Sequence, residues 1–159
     1  LHNQTNDEGK ELISKNIGNK AIVVGYGPIG RAIYQTLQEN GFSPVVIDRN
    51  VDTISKLLKE GKAAIYGDAS KSNIQEIAGM EKASLLAVTL PEIRESISVI
   101  ETARDLHPPI YIIARTRYIS DKSFFENLDI PCICCEEEGL KAFKEVLAAT
   151  MDEIKTPKD

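Results

Sequence analysis

The chain of 159 residues has no tryptophan, only two histidines, and three cysteines crowded into four positions. Each shortage removes a class of function. His2 stands near the start, and His107 precedes Pro108-Pro109 at a predicted helix end. Neither lies where a cleft would need a general base or a metal ligand. Cys132, Cys134 and Cys135 form Cys-x-Cys-Cys, with no second cluster and no nearby histidine to complete a tetrahedral zinc site. Strand alternation places Cys132 and Cys134 on one face and Cys135 on the other, and they are expected to be small buried apolar residues, the alternative being a thiol sensor. Three reduced thiols fit a cytoplasmic setting. No run approaches the roughly 20 apolar residues of a membrane helix, and no signal peptide is visible. The net charge of −5 offers no broad attraction to nucleic acid or to an anionic membrane surface. There is no nucleophile elbow. The chain begins with Leu1 and not Met, so it is expected to be a piece of a longer protein.

What is present is a glycine turn in a specific setting. The apolar run Ile22-Val23-Val24 ends in Gly25, and Gly25, Gly27 and Gly30 fit G-x-G-x-x-G across Gly25-Tyr26-Gly27-Pro28-Ile29-Gly30. Apolar residues then recur at Ile29, Ile33 and Leu37, the spacing of a helix. The stretch reads as strand, tight turn, helix start. The first turn of a helix leaves N–H groups unpaired and carries partial positive charge, so it suits a phosphate. Gly25 permits the turn, Gly27 leaves the donors open, and Gly30 lets helix and strand approach. A second apolar strand, Pro44-Val45-Val46-Ile47, ends in Asp48, 18 residues after Gly30. A carboxylate there accepts the hydroxyls of an adenosine ribose; the alternative is a cap on the next helix. Its charge disfavours a 2′-phosphate, although Arg49 beside it can hold one.

The rest of the chain repeats the pattern. Residues 1–19 are polar without a sustained period and read as a linker or tail, with at most one helical turn near Glu11-Leu12-Ile13. From residue 20 to about 155, strands at 21–24, 45–48, 63–66, 85–88, 110–114 and 130–134 alternate with helical stretches. The helix after the fourth strand is expected to start at Pro91. The last helix, from about Glu137 to Ile154, carries Leu140, Phe143, Leu147, Met151 and Ile154 along one seam. Strict alternation implies an α/β domain with six parallel strands. With right-handed crossovers this is the doubly wound Rossmann sheet, in order 3-2-1-4-5-6, with helices on both faces.

Ligands of such sheets bind at the carboxyl ends of the strands. The candidates there are Gly25 to Gly30, Asp48, Arg49, Gly67, Asp68, Ala69, Thr89, Leu90 and Arg115. Asp68 either caps the third helix or faces the adenine. Arg31 either is solvated or reaches a diphosphate. Arg115 either serves an anionic ligand or pairs with Glu136-Glu137-Glu138. The seam of the last helix and Phe124-Phe125 either cover the sheet or form a dimer contact.

Taken together, Gly25-Tyr26-Gly27-Pro28-Ile29-Gly30-Arg31, Val46-Ile47-Asp48-Arg49, Gly67-Asp68-Ala69-Ser70, Val88-Thr89 and Ile112-Ile113-Ala114-Arg115 resemble the TrkA-N group. These are the RCK or KTN domains, which regulate potassium conductance. The likeness is greatest to the cytoplasmic carboxyl-terminal domains of Kef-type potassium-efflux and cation:proton antiporters. The resemblance implies a regulatory module and not an enzyme. It implies NAD(H) or AMP in the cleft, a homodimer, and an attached antiporter of the inner membrane, gated by exchange of ligand. For Kef-like members it also implies a glutathione-type effector, with Arg115 the residue to inherit that role. The alternatives are a small NAD-dependent oxidoreductase and a free-standing regulatory subunit of a potassium-uptake system.

Overall fold

The computed structural model describes residues 2–156. Six parallel strands run in the order β3-β2-β1-β4-β5-β6, as the alternation predicts. They are β1 (Asn19–Val24), β2 (Phe42–Asp48), β3 (Ala64–Tyr66), β4 (Leu85–Val88), β5 (Tyr111–Thr116) and β6 (Cys132–Cys134). The helices are α1 (His2–Ser14), α2 (Pro28–Glu39), α3 (Val51–Lys59), α4 (Ser72–Ala78), α5 (Ile93–Leu106), α6 (Ile119–Asn127) and α7 (Cys135–Lys155). Val23 pairs with Val46 on one side and Ala87 on the other, so β1 is the centre of the sheet.

Alternation along the strands sorts the core onto two faces. Ile22, Val24, Val45, Ile47, Ile65, Leu86 and Val88 join Val99, Ile100 and Phe125 on one face. Ala21 and Val23 meet Leu37, and Val46 and Ala64 meet Tyr34, Ile54 and Leu57, on the other. These central strands are buried on both faces, which explains their near-continuous apolar runs.

Three expectations need correction. The first concerns residues 1–19, read as a linker or tail. His2–Ser14 is a helix that lies against β3 and buries Ile13. Gly9 breaks the helical signal in the sequence, yet a Cβ there would fall into the carbonyl oxygen of Ala64, so glycine is what lets α1 seat. Asn6 then pairs with the backbone of Tyr66 in both directions, its Nδ2 donating to Tyr66 O at 3.0 Å and its Oδ1 accepting from Tyr66 N at 2.9 Å. Second, α5 starts at Ile93 behind Glu92, with Pro91 outside the helix. Third, α7 does not cover the sheet: none of its residues is buried, and Phe143 and Ile154 are 67% and 73% exposed. Of the paired phenylalanines, Phe125 is fully buried and Phe124 half exposed. Of the cysteines only Cys134 is buried; Cys132 and Cys135 are partly so, Cys135 opening α7. Burial first, then Cys134, pushes the Cys132 thiol up.

Among the described residues no helix is long and apolar enough to cross a membrane. Nor does any group of three or more His, Cys, Asp or Glu there offer a metal site.

Candidate functional site

The turn after β1 has the geometry its glycines require. Gly25 sits at φ +92°, and a Cβ there would lie 2.6 Å from Thr89 Oγ1. A Cβ on Gly30 would run into the carbonyl oxygen of Gly25, so α2 can lie against the turn only with glycine at that position. Gly27 faces open space. It is the N-cap of α2 and makes no side-chain cap; Pro28 follows at the first helical position. The first helical bond runs from Arg31 N–H to Gly27 O at 2.9 Å. The amides of Ile29 and Gly30 precede it and have no partner within the helix.

Asp48, at the end of β2, ties two loops together. Its Oδ2 accepts the N–H of Tyr26 at 2.9 Å, and its Oδ1 accepts the N–H of Asn50 at 2.8 Å. It does not cap α3. Asn50 does, accepting from Asp52 and Thr53. Both oxygens of Asp48 keep a further lone pair for a ligand hydroxyl. The Tyr26 ring stands edge-on to Tyr34, with centroids 5.9 Å apart, and lies under the Arg31 guanidinium. Burial first, then the Tyr26 phenol and Glu60, pushes the Tyr34 hydroxyl up to about 12. Arg31 is exposed and lines a separate groove with Tyr26, Asp52 and Lys56.

A cavity of 280 Å³ opens at the strand ends. Asp48, Arg49, Gly67, Asp68, Ala69 and Leu90 all line it. Asp68 does not cap α4, whose N-cap is Lys71. Its Oδ1 accepts both the N–H (2.9 Å) and the Oγ (2.7 Å) of Ser70, and its Oδ2 meets Arg49 Nη2 at 2.7 Å. Burial works to raise the Asp68 carboxyl, but the Ser70 bonds and the Arg49 guanidinium outweigh it and hold it below its ordinary range. The hydrogen bond to Asp68, with its charge, raises Arg49. Arg49 also reaches Glu95 at 3.5 Å, so it spans the mouth from the β3 loop to α5.

Thr89 stands behind the turn, buried, donating its hydroxyl to Val24 O at 2.8 Å and approaching Gly25 O at 3.1 Å. Arg115 does not pair with 136–138. Glu137 is held by Lys122 at 2.6 Å and Glu138 by Lys141. Instead Arg115 Nη2 donates to Thr89 O at 2.7 Å, and its side chain borders a separate apolar hollow of 420 Å³ with Ile29, Ile113, Ile133 and Cys135. The structure therefore gathers the β2 and β3 ends with Leu90 in one cavity, sets the glycine turn beside it, and puts Ile29 and Arg115 on another.

The sequence reading missed the far wall of the cavity: Arg94, Glu95, Ser98 and Val99 of α5. The signal was available. α5 follows β4, so its first turns stand at the strand ends, and residues 94, 95 and 98 share one side of a helix. The sequence also carries a Tyr-x-x-x-Lys spacing, at Tyr118 and Lys122. Neither residue lines the cavity. Lys122 is engaged by Glu137 and Glu126, and its hydrogen bond to Glu137 raises it, which is not the behaviour of a free partner to a tyrosine base.

The fold and the glycine turn thus define a Rossmann-type α/β domain with an open helix start after β1 and an acid at the end of β2. Residues 21–136 match the TrkA-N domain model, and the chain belongs to that family. It is 32% identical over 127 residues to the putative cation/proton antiporter YbaL of Escherichia coli K12, covering 78% of this chain and 23% of that protein. The chain spans about a quarter of the length of that relative. Among solved structures, the TrkA-N domain of the E. coli inner membrane protein YbaL superimposes with a TM-score of 0.76 at 28% identity, over 83% of this chain and 98% of that one. The Shewanella denitrificans Kef carboxyl-terminal domain in its AMP-bound form gives 0.72 at 22%, over 83% and 82%. The GsuK channel bound to NAD gives 0.64 at 18%, over 75% and 22%. The last two are likenesses of fold.

Proposed function

We propose that this domain is a regulatory module that binds an adenosine nucleotide, AMP or NAD(H), and gates a monovalent cation:proton antiporter of the potassium-efflux kind from the cytoplasmic side of the inner membrane. The observation that carries the reading is the carboxylate of Asp48, held beside the open amides of the glycine turn by the Tyr26 N–H. In this reading the amides of Ile29 and Gly30 take phosphate and Asp48 takes the ribose. The cavity between Asp68-Ala69 and α5 takes the base. The Kef domain holds AMP and GsuK holds NAD in their crystals, and the relative YbaL is a putative cation/proton antiporter; these support the ligand class and the partner. Gating requires that the ligand bind two arrangements with different affinity.

The module acts as a homodimer. Support comes from α7, whose Leu140, Phe143, Leu147, Met151 and Ile154 form an exposed apolar seam on the protein, and from the apolar hollow at its root. A second copy covers both by the same contact taken twice. Arg115, fixed by Thr89 O, is the cation available to an anionic effector of the glutathione type at that end.

Native mass spectrometry of untreated protein, followed by titration calorimetry with AMP and NAD, tests the reading. The expected result is a dimer with saturable nucleotide binding. Absence of binding, or steady turnover of NADH with a substrate, overturns it.

A further inference from the structure

Gln75, on α4, is fully buried and polar. Its Nε2 donates to Ala69 O at 2.7 Å and to Val99 O at 3.0 Å, while its Oε1 is buried without a partner. Turning the amide over would set the oxygen against both carbonyls, so chemistry fixes this orientation. An unpaired buried oxygen is costly to keep. What the amide joins is informative: Ala69 and Val99 are opposite walls of the cavity, one on the loop after β3 and the other on α5. A second link lies alongside. Thr102 Oγ1, on α5, approaches Ser70 O at 2.9 Å and Ser98 O, one turn back on its own helix, at 3.0 Å. Ser70 in turn holds Asp68, and Asp68 holds Arg49, which reaches back to Glu95. The far end of α5 is tied onward, Arg104 donating to Leu128 O at 3.1 Å beyond α6.

We propose that α5 is the element that reports occupancy of the base end of the cleft, with Gln75 and Thr102 as positioning residues that couple it to the Gly67–Ser70 loop. The inference rests on the nucleotide reading above. A base seated between Ala69 and Val99 sets the separation of the two walls. The two side chains convert that separation into a position of the whole helix, including the turns beyond the cavity. Neither residue lines the cavity, so neither is needed for direct contact.

Hydrogen exchange with and without AMP, on the wild type and on the Gln75→Met/Thr102→Val variant, tests it. In the wild type, AMP is expected to slow exchange along α5 through residues 100–106, past the last residue lining the cavity. In the double variant that protection stops near residue 99, and AMP binds about fivefold or more weakly, the low end of coupling between linked sites. A purely structural role would lower the melting temperature and leave the reach of protection unchanged. If Gln75→Met fails to fold, Thr102→Val alone, near in shape, must shorten the protected stretch. AMP binding with protection that still extends through 106 in the folded variant overturns this inference and leaves the nucleotide reading standing. A wild type that binds no AMP overturns both.

Discussion

The backbone N–H of Tyr26 and the Oδ2 of Asp48 lie 2.9 Å apart, which joins the glycine turn after β1 to the end of β2 by one bond. The same carboxylate takes the N–H of Asn50, so one side chain sets the spacing between the amides at the start of α2 and the loop before α3. Replacing Asp48 with Ala should therefore affect both ligand and turn. Hydrogen bonds to a charged group contribute about 1.5–3 kcal/mol, so AMP or NAD should bind roughly tenfold to a hundredfold more weakly by calorimetry. Asp48→Asn should retain part of the affinity. Unchanged binding in Asp48→Ala would rule out the ribose assignment.

The three glycines of the turn should separate by experiment. Gly27→Ala meets open space at an ordinary φ of −83°, so its stability in urea should stay within about 1 kcal/mol of wild type. Nucleotide binding should fall, because the new methyl takes up part of the open space beside the turn that a phosphate would use. Gly30→Ala meets the Gly25 carbonyl and should lose stability as well as binding. Full nucleotide binding by a folded Gly27→Ala would mean that Gly27 serves no ligand.

Asp68 gives a dependence on pH. Its folded carboxyl is held below its ordinary range, against the effect of its own burial, by Ser70 and Arg49. The unfolded chain therefore takes up that proton first as pH falls. The stabilisation is complete above the ordinary carboxylate range and is lost as pH drops through the lower folded value. Urea denaturation at a series of acid pH values should show Asp68→Asn with a shallower loss of stability than wild type. Identical slopes would mean that the Ser70 and Arg49 contacts do not hold in solution.

The exposed seam of α7 leads to a change of assembly without a change of fold. Phe143→Lys and Leu147→Lys place charge on residues that are not buried in the single chain. Both variants should fold, with unchanged circular dichroism, and run as monomers in light scattering where the wild type runs as a dimer. A wild-type monomer at tens of micromolar would overturn the dimer.

In contrast to the exposed seam, Phe125 is wholly enclosed, within the core cluster that includes Ile112, Ala114 and Ile130. Phe125→Ala should cost about 3–5 kcal/mol of unfolding free energy in urea. A loss below about 1 kcal/mol would show that the pocket closes over the gap.

The sheet was legible in the sequence because each central strand is apolar on both faces and each is followed by a helical period. The glycine turn and Asp48 were legible for the same reason: strand, turn, helix and acid leave a spacing. α1 was not, since Gly9 and a mostly polar surface hide a helix that only contact with Ala64 and β3 makes worthwhile. The α5 wall carries no motif. Ser96, Val99 and Ile100 are buried while Ile93 and Ile97 are only partly so, because the helix packs against α4 as well as against β4 and β5. The seam of α7 could be read, but not what it faces, because sequence period gives amphipathicity without a partner.

Asn6 occupies the outer rim of the sheet as a surrogate neighbour strand, satisfying both backbone groups of Tyr66 with one amide. Tyr66 is the residue before Gly67, where the loop to Asp68 begins. The first helix is thus joined, through two bonds and a single peptide, to the loop that lines the cavity at the strand ends.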